Sequence, residues 1–132
     1  MAKIALEELC KRKKAQTVKL VEIADVTRQI AEAVERRDEV SVRLLLDERE
    51  QPIRQLYETE ESIRAYLLTL PEAEARRVNE LLHGAEPGTE EEKPLAEYAA
   101  QYRRMLESVT ALDKQVSLRL GGSQSFYKKF RE

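Results

Sequence analysis

The stretch VRLLLDEREQPIRQLYETEESIRAYLLTL, residues 42–70, decides the fold class of this chain. Its apolar side chains recur alternately three and four residues apart, a spacing that places them on one face of an α-helix. The positions on that face are Val42, Leu46, Arg49, Ile53, Leu56, Glu60, Ile63, Leu67 and Leu70. A seam of this kind is typical of long helices that pack side by side, so it predicts an all-α protein.

A second seam with the same spacing lies nearer the C-terminus. It comprises Leu95, Tyr98, Tyr102, Met105, Val109, Leu112 and Val116. Before the first seam, apolar residues at helical spacing are Leu20, Ile23, Ile30 and Val34. These patterns predict three long helices and one short helix. The expected ranges are about 4–37, 39–69 and 94–120 for the long helices and about 71–83 for the short one.

The connections between these helices are short, which favours antiparallel neighbours. We therefore expect an elongated antiparallel helical hairpin or a three- to four-helix bundle with coiled-coil-like packing. A single helical domain is expected over residues 1–120, with an acidic loop at 85–93. Residues 121–132 are expected to form a flexible tail of aromatic and basic side chains.

Pro52 lies in the middle of the predicted second helix, where proline removes a backbone hydrogen bond and costs roughly 3 kcal/mol. The seam nevertheless keeps its spacing across this residue. We favour a kinked but continuous helix. The alternative is a break, with Pro52 starting a new helix.

Two charged residues, Arg49 and Glu60, occupy seam positions where apolar residues are expected. They could set helix register or partner choice. We favour the interpretation that both lie at the edge of the bundle and extend their charged ends to water.

Composition argues against several classes of function. The chain has 23 Lys and Arg against 25 Asp and Glu, a net charge of −2, which gives no reason to expect nucleic acid as a partner. The basic run Lys11–Lys14 is interpreted as a solvated helix surface. Cys10 is the only cysteine and His83 the only histidine, so we expect no metal site, no cofactor and no catalytic activity.

The N-terminus scatters its charges and does not have the order of a secretory signal. Apolar runs are far too short to cross a bilayer, so no membrane insertion is expected. We expect a cytoplasmic protein.

Two stretches together resemble a known family. They are AVERRDEVSVRLLLDEREQPIRQLYETEESI at residues 33–63 and ALDKQVSLRLGGSQSFYKKF at residues 111–130. Their organisation is similar to that of the flagellar type III export chaperones of the FlgN and FliT kind. The chain departs from that pattern at Arg37-Asp38, where many members carry Gly-Asp, and at Pro52.

The resemblance implies a small all-α binding protein, not an enzyme. Such a protein holds the C-terminal amphipathic segment of a filament-cap or hook-associated subunit before export. By position, the partner-binding residues in the last helix would be Leu112, Val116 and Leu120. A tail aromatic, Tyr127 or its neighbours Phe126 and Phe130, would help to dock the export gate.

The residues themselves leave a second function open. A structural coiled-coil module, whose seams close a homodimer or join a larger assembly, would carry the same pattern. The three tail aromatics could then pack back on the bundle instead of binding a partner.

Overall fold

The computed structural model describes residues 3–121. In this range the chain forms four α-helices and no strand. They are α1 (Lys3–Glu35), α2 (Glu39–Leu67), α3 (Glu72–Leu82) and α4 (Lys93–Arg119). The predicted all-α helical bundle is confirmed, and each helix end lies within two residues of its expected position.

The described chain divides into two compact units. Unit 1 comprises the residues up to Val18 together with Leu56–Arg104. Unit 2 comprises Lys19–Gln55 together with the residues from Met105 onwards. The single domain expected over residues 1–120 stays a prediction.

Unit 1 has an apolar core to which all four helices contribute. Its buried members are Leu6, Leu9, Ile63, Val78, Leu81, Leu82, Leu95 and Ala99. Helix α3 has only 11 residues, too few to be stable alone in water. Burial of its three apolar residues in this core, at roughly 1.5–3 kcal/mol each, is what holds it.

A charged pair closes the loop between α3 and α4. Arg77 donates from Nη2 to Glu92 Oε1 at 2.8 Å and from Nε to Oε2 at 3.1 Å. The Gly88 amide donates to the same Oε1 at 2.7 Å. These hydrogen bonds, that of Arg77 first, lower the pKa of Glu92 to about 2. Glu92, a carboxylate of the acidic loop expected at 85–93, thus binds the loop to Arg77 of α3. Helix α4 begins at the next residue, Lys93.

Unit 2 is built from α1, α2 and α4. Its buried apolar residues are Leu20, Ile23, Ala24, Ile30, Ala33, Val42, Ile53, Val109 and Val116. Apart from Ala24 and Ala33, they are members of the predicted seams, since residues three and four apart lie on one helix face.

Helix α1 ends in a turn that usually contains glycine. The Asp38 amide donates to the Ala33 carbonyl and the Arg37 amide to the Val34 carbonyl, the hydrogen bonds of a Schellman motif. Arg37 takes the left-handed position of this motif, with φ 58°. This conformation costs a non-glycine residue about 1 kcal/mol. It also explains why α1 stops two residues before the predicted end at residue 37.

Asp38 caps α2. Its Oδ1 accepts a hydrogen bond from the Ser41 amide at 3.1 Å, and its Oδ2 accepts one from the Ser41 hydroxyl at 2.6 Å. A carboxylate in this position satisfies an amide of the first helical turn. The hydrogen bonds from Ser41 lower the pKa of Asp38.

Helix α2 is continuous through Pro52. The alternative of a break, with a new helix starting at Pro52, is therefore wrong. Ile53 and Leu56, in the helical turn that follows Pro52, are both buried. Their packing offsets the cost of a proline in a helix interior.

Candidate functional site

Two of the sequence-predicted partner residues, Leu112 and Val116, lie on one face of α4 in unit 2, and Leu120 follows directly after the helix ends at Arg119. Val116 is 4% exposed, and Leu112 and Leu120, one turn away on either side, are half-buried. We refer to these three residues as the α4 strip. The other predicted partner residues, Phe126, Tyr127 and Phe130, lie outside the described residues.

The α4 strip ends at a groove of about 450 Å³, which we refer to as the Leu120 groove. Its apolar lining consists of Leu120, Val34 from α1 and Val42 from α2. Charged side chains complete the lining, namely Arg37, Asp38, Glu39 and Arg43. The groove therefore presents apolar surface beside charges of both signs.

Sequence reasoning missed an exposed leucine on α4 that lies outside the α4 strip. Leu118 is 70% exposed and points away from the seam of α4. Helix α2 has two exposed apolar residues one turn apart. Val40 is 71% exposed and Leu44 is 60% exposed. The predicted seams could not reveal these residues, because they lie between the seam positions.

The polar centre of unit 2 is a buried ion pair. Arg49 Nη1 of α2 lies 2.6 Å from Asp113 Oδ1 of α4, and the two side chains are 4% and 0% exposed. Arg49 also donates to the Thr27 hydroxyl of α1 at 3.2 Å. The expectation that Arg49 lies at the edge of the bundle and reaches water is wrong. Burial without a partner would be too costly for a guanidinium, and Asp113 supplies that partner.

A signal for this pair was present in the sequence. Asp113 lies four residues after Val109 and three before Val116, so it is as much a seam residue as Arg49. Opposite charges in two seams indicate that the seams face each other.

One turn further along α4, the Ser117 hydroxyl is buried without a hydrogen-bond partner within residues 3–121.

The basic run of α1 contacts three tyrosines in unit 1. Arg12 lies 4.7 Å from the centre of the Tyr66 ring, and Lys14 lies 4.8 Å from that of Tyr98. The Lys13 ammonium lies 4.0 Å from that of Tyr102. Cations at these distances are attracted by the aromatic face. The solvated surface expected for this run is therefore wrong for Lys13, which is only 8% exposed.

Lys13 belongs to a hydrogen-bonded chain inside unit 1. Its ammonium donates to Gln16 Oε1 at 2.8 Å, and Gln16 Nε2 donates to Glu60 Oε2 at 2.8 Å. Burial lowers the pKa of Lys13 to about 8; Glu60 opposes this shift and Arg103 adds to it. Burial also raises the pKa of Tyr102. Glu60, the second polar residue of the first seam, is only half-buried.

The other chemical groups of the chain form no metal centre in the part that the structure describes. No group of three or more His, Cys, Asp and Glu side chains there is placed to hold a metal ion. Burial raises the pKa of the half-buried Cys10 thiol, which makes it less nucleophilic.

Within residues 3–121, no helix combines the length and the apolar character that crossing a membrane requires.

Comparison with known proteins identifies no relative. No protein-family model matches this chain, and no curated protein or solved structure matches it.

Proposed function

We propose that this chain is a non-enzymatic binding protein of the export-chaperone type. It holds an amphipathic helical segment of a flagellar filament-junction or cap subunit in the cytoplasm before secretion. Two features support the proposal. They are the resemblance of residues 33–63 and 111–130 to the FlgN and FliT kind of chaperone, and the all-α bundle that residues 3–121 form.

The observation that carries the proposal is the partial cover of the α4 strip. Leu112 and Leu120 keep part of their apolar surface open while Val116 is buried between them. Leu120 also lines the Leu120 groove, together with the apolar side chains of Val34 and Val42. A client helix placed here would cover apolar side chains that the fold leaves partly exposed.

The energetics suit a reversible complex. A client that buries four or five apolar side chains gains on the order of 1.5–3 kcal/mol from each. The loss of freedom on association consumes a large part of this gain. The remainder corresponds to binding in the micromolar range, which a chaperone that must release its client requires.

Calorimetry tests the proposal with defined peptides. The probes are synthetic C-terminal segments of the hook-associated and filament-cap subunits that the same genome encodes. We expect one of them to bind the full chain, and Leu120→Asp to remove that binding. Leu118→Asp is the matched control, because Leu118 is exposed on α4 away from the α4 strip.

Val116→Asp is a less suitable variant, since it would bury a charge and could unfold unit 2. Circular dichroism of the two leucine variants checks that their helix content is retained. If none of the peptides binds the parent chain, the export-chaperone proposal is wrong. Equal binding by Leu120→Asp and the parent would remove the α4 strip from the proposal.

The tail aromatics have a separate part in the proposal. We propose that Phe126, Tyr127 or Phe130 contacts an export-gate component after the client is bound. A chain with all three changed to alanine should bind the client peptide normally and fail to bind the gate component. Loss of client binding in this variant would instead assign the aromatics to the client site.

A second candidate function is a structural coiled-coil module that forms a homodimer. The exposed pair Val40 and Leu44 favours it, because two apolar side chains one turn apart can form a small helix contact. Light scattering coupled to size exclusion, at several concentrations, distinguishes the two functions. A stable dimer that Val40→Lys with Leu44→Lys converts to a monomer would support the module.

A further inference from the structure

Arg37 has a strained backbone conformation in the turn that ends α1, and the hydrogen bonds of this turn involve its backbone and not its side chain. It lies in the left-handed position of the turn after α1, where glycine is the usual residue. The corresponding turn after α3 contains Gly84. Strained residues of this kind concentrate at sites where their side chains have a task. We therefore expect the side chain of Arg37 to have a function.

The Arg37 side chain lines the Leu120 groove together with Arg43 of α2. Neither guanidinium forms an ion pair within residues 3–121. The neighbouring Arg36, by contrast, lies 3.8 Å from Asp38. Two guanidinium groups that lack a carboxylate thus flank the apolar lining of the groove.

The two acidic residues of the groove form no ion pair with these arginines within residues 3–121, and both are engaged at the start of α2. Both carboxylate oxygens of Asp38 accept hydrogen bonds from Ser41 at the start of α2. Glu39 lies in the first turn of α2, where the positive end of the helix dipole stabilises its charge. Arg37 and Arg43 remain available to carboxylates from outside the chain.

We propose that the Leu120 groove binds an acidic amphipathic segment of a protein partner. An apolar side chain of the partner contacts Val34, Val42 and Leu120, and carboxylates beside it pair with Arg37 and Arg43. Guanidinium and carboxylate form short, charge-assisted hydrogen bonds with defined geometry. This inference deepens the proposed function and rests on it, since it assigns acidic residues to the client segment that reaches Leu120.

The test uses the full chain labelled with ¹⁵N and a designed probe. The probe is a helical peptide of about 18 residues with leucines along one face and glutamates beside them. A second peptide has glutamine in place of every glutamate. We expect the acidic peptide to shift the amide signals of Val34, Val42 and Leu120. The glutamine peptide should bind about tenfold more weakly, and salt should weaken binding of the acidic peptide.

Arg37→Gly gives the sharpest result, because the two effects of the substitution have opposite signs. Removal of the strained side chain should raise the thermal midpoint of unfolding. The same change should weaken binding of the acidic peptide about fivefold. A purely structural role of Arg37 would not produce this combination. Arg43→Gln should weaken binding similarly, and Arg54→Gln, which removes an exposed arginine outside the groove, is the charge-matched control.

Equal affinity for the glutamate and glutamine peptides would overturn the inference. So would unchanged binding by both Arg37→Gly and Arg43→Gln, or the absence of shifts at the three groove residues. These results do not depend on the flagellar client peptides. If a client peptide binds and the acidic probe does not, the proposed function stands and the acidic preference is wrong.

Discussion

Arg49 Nη1 and Asp113 Oδ1 lie 2.6 Å apart in the interior of unit 2, and neither side chain has more than 4% of its surface exposed. Two ions in this setting lose most of their hydration, and their attraction must offset that loss. The pair therefore links α2 to α4 in one defined position. Its net contribution to stability is smaller than its short distance suggests.

The first prediction concerns the two halves of this pair. Asp113→Leu alone should destabilise the chain by about 3–5 kcal/mol, because Arg49 is left as an uncompensated buried charge. Arg49→Met combined with Asp113→Leu should be at least as stable as the parent, since both charges of the pair are replaced by apolar side chains. Urea unfolding of the parent, both single variants and the double variant measures the coupling. Additive effects of the two single changes would show that the residues do not interact.

The second prediction concerns Lys13 and alkaline pH. The pKa of Lys13 is about 8 in the folded chain, against 10.5 for a lysine that is not buried. Between these values the unfolded chain binds more protons than the folded one, so stability should rise with pH. For one proton the slope is at most about 1.4 kcal/mol per pH unit.

Tyr102 acts in the opposite direction above pH 10, where the unfolded chain loses the tyrosine proton first. Cys10 also acts in the opposite direction near pH 9, because burial raises the pKa of its thiol in the folded chain. The measurement therefore belongs between about pH 8 and 9.5, in chains that carry Cys10→Ala. Lys13→Met should abolish the rise in the free energy of unfolding over this window. A rise that persists in the variant would assign the effect to another group.

The third prediction concerns the loop anchor Glu92. Its pKa is about 2 in the folded chain against 4.5 without the contacts of Arg77 and Gly88. A lowered carboxylate pKa stabilises the fold above pH 4.5, and this stabilisation is lost as the pH falls from 4.5 towards 2. Glu92→Gln should be less stable than the parent at pH 7, and the difference should shrink in acid. Glu91→Gln, at an exposed neighbour, is the control. It should leave the loss of stability between pH 4.5 and 2 unchanged.

The fourth prediction concerns Pro52 in the interior of α2. Pro52→Ala restores the amide that the helix lacks and removes the clash with the preceding turn. We expect stability to rise by roughly 1–3 kcal/mol. Gln51→Ala, at an exposed neighbour in the same helix, should change stability by less than about 0.5 kcal/mol. A lower stability of Pro52→Ala would mean that the packing of unit 2 depends on the proline.

The helices and most of their ends could be read from the sequence. The seam from Val42 to Leu70 has the period of an α-helix, and a helix of this period is a local property of the chain. Asp38 and Gly84 likewise act on backbone groups a few residues away, at the start of α2 and the end of α3. Signals of this range need no knowledge of the rest of the molecule.

Only the tertiary structure showed which charges are buried. The seam positions of Arg49 and Asp113 indicate that the two seams face each other, but they do not indicate that these charges are shielded from water. Arg49 and Asp113 are 64 residues apart, and Lys13 contacts Tyr102 from the other end of the chain. Helical spacing assigns a residue to a face, but it does not say which face packs against it. Whether a charge reaches water or requires a partner depends on that packing. For this reason the sequence determined the all-α fold and the position of the α4 strip, and only the structure placed Arg37 and Arg43 beside Leu120.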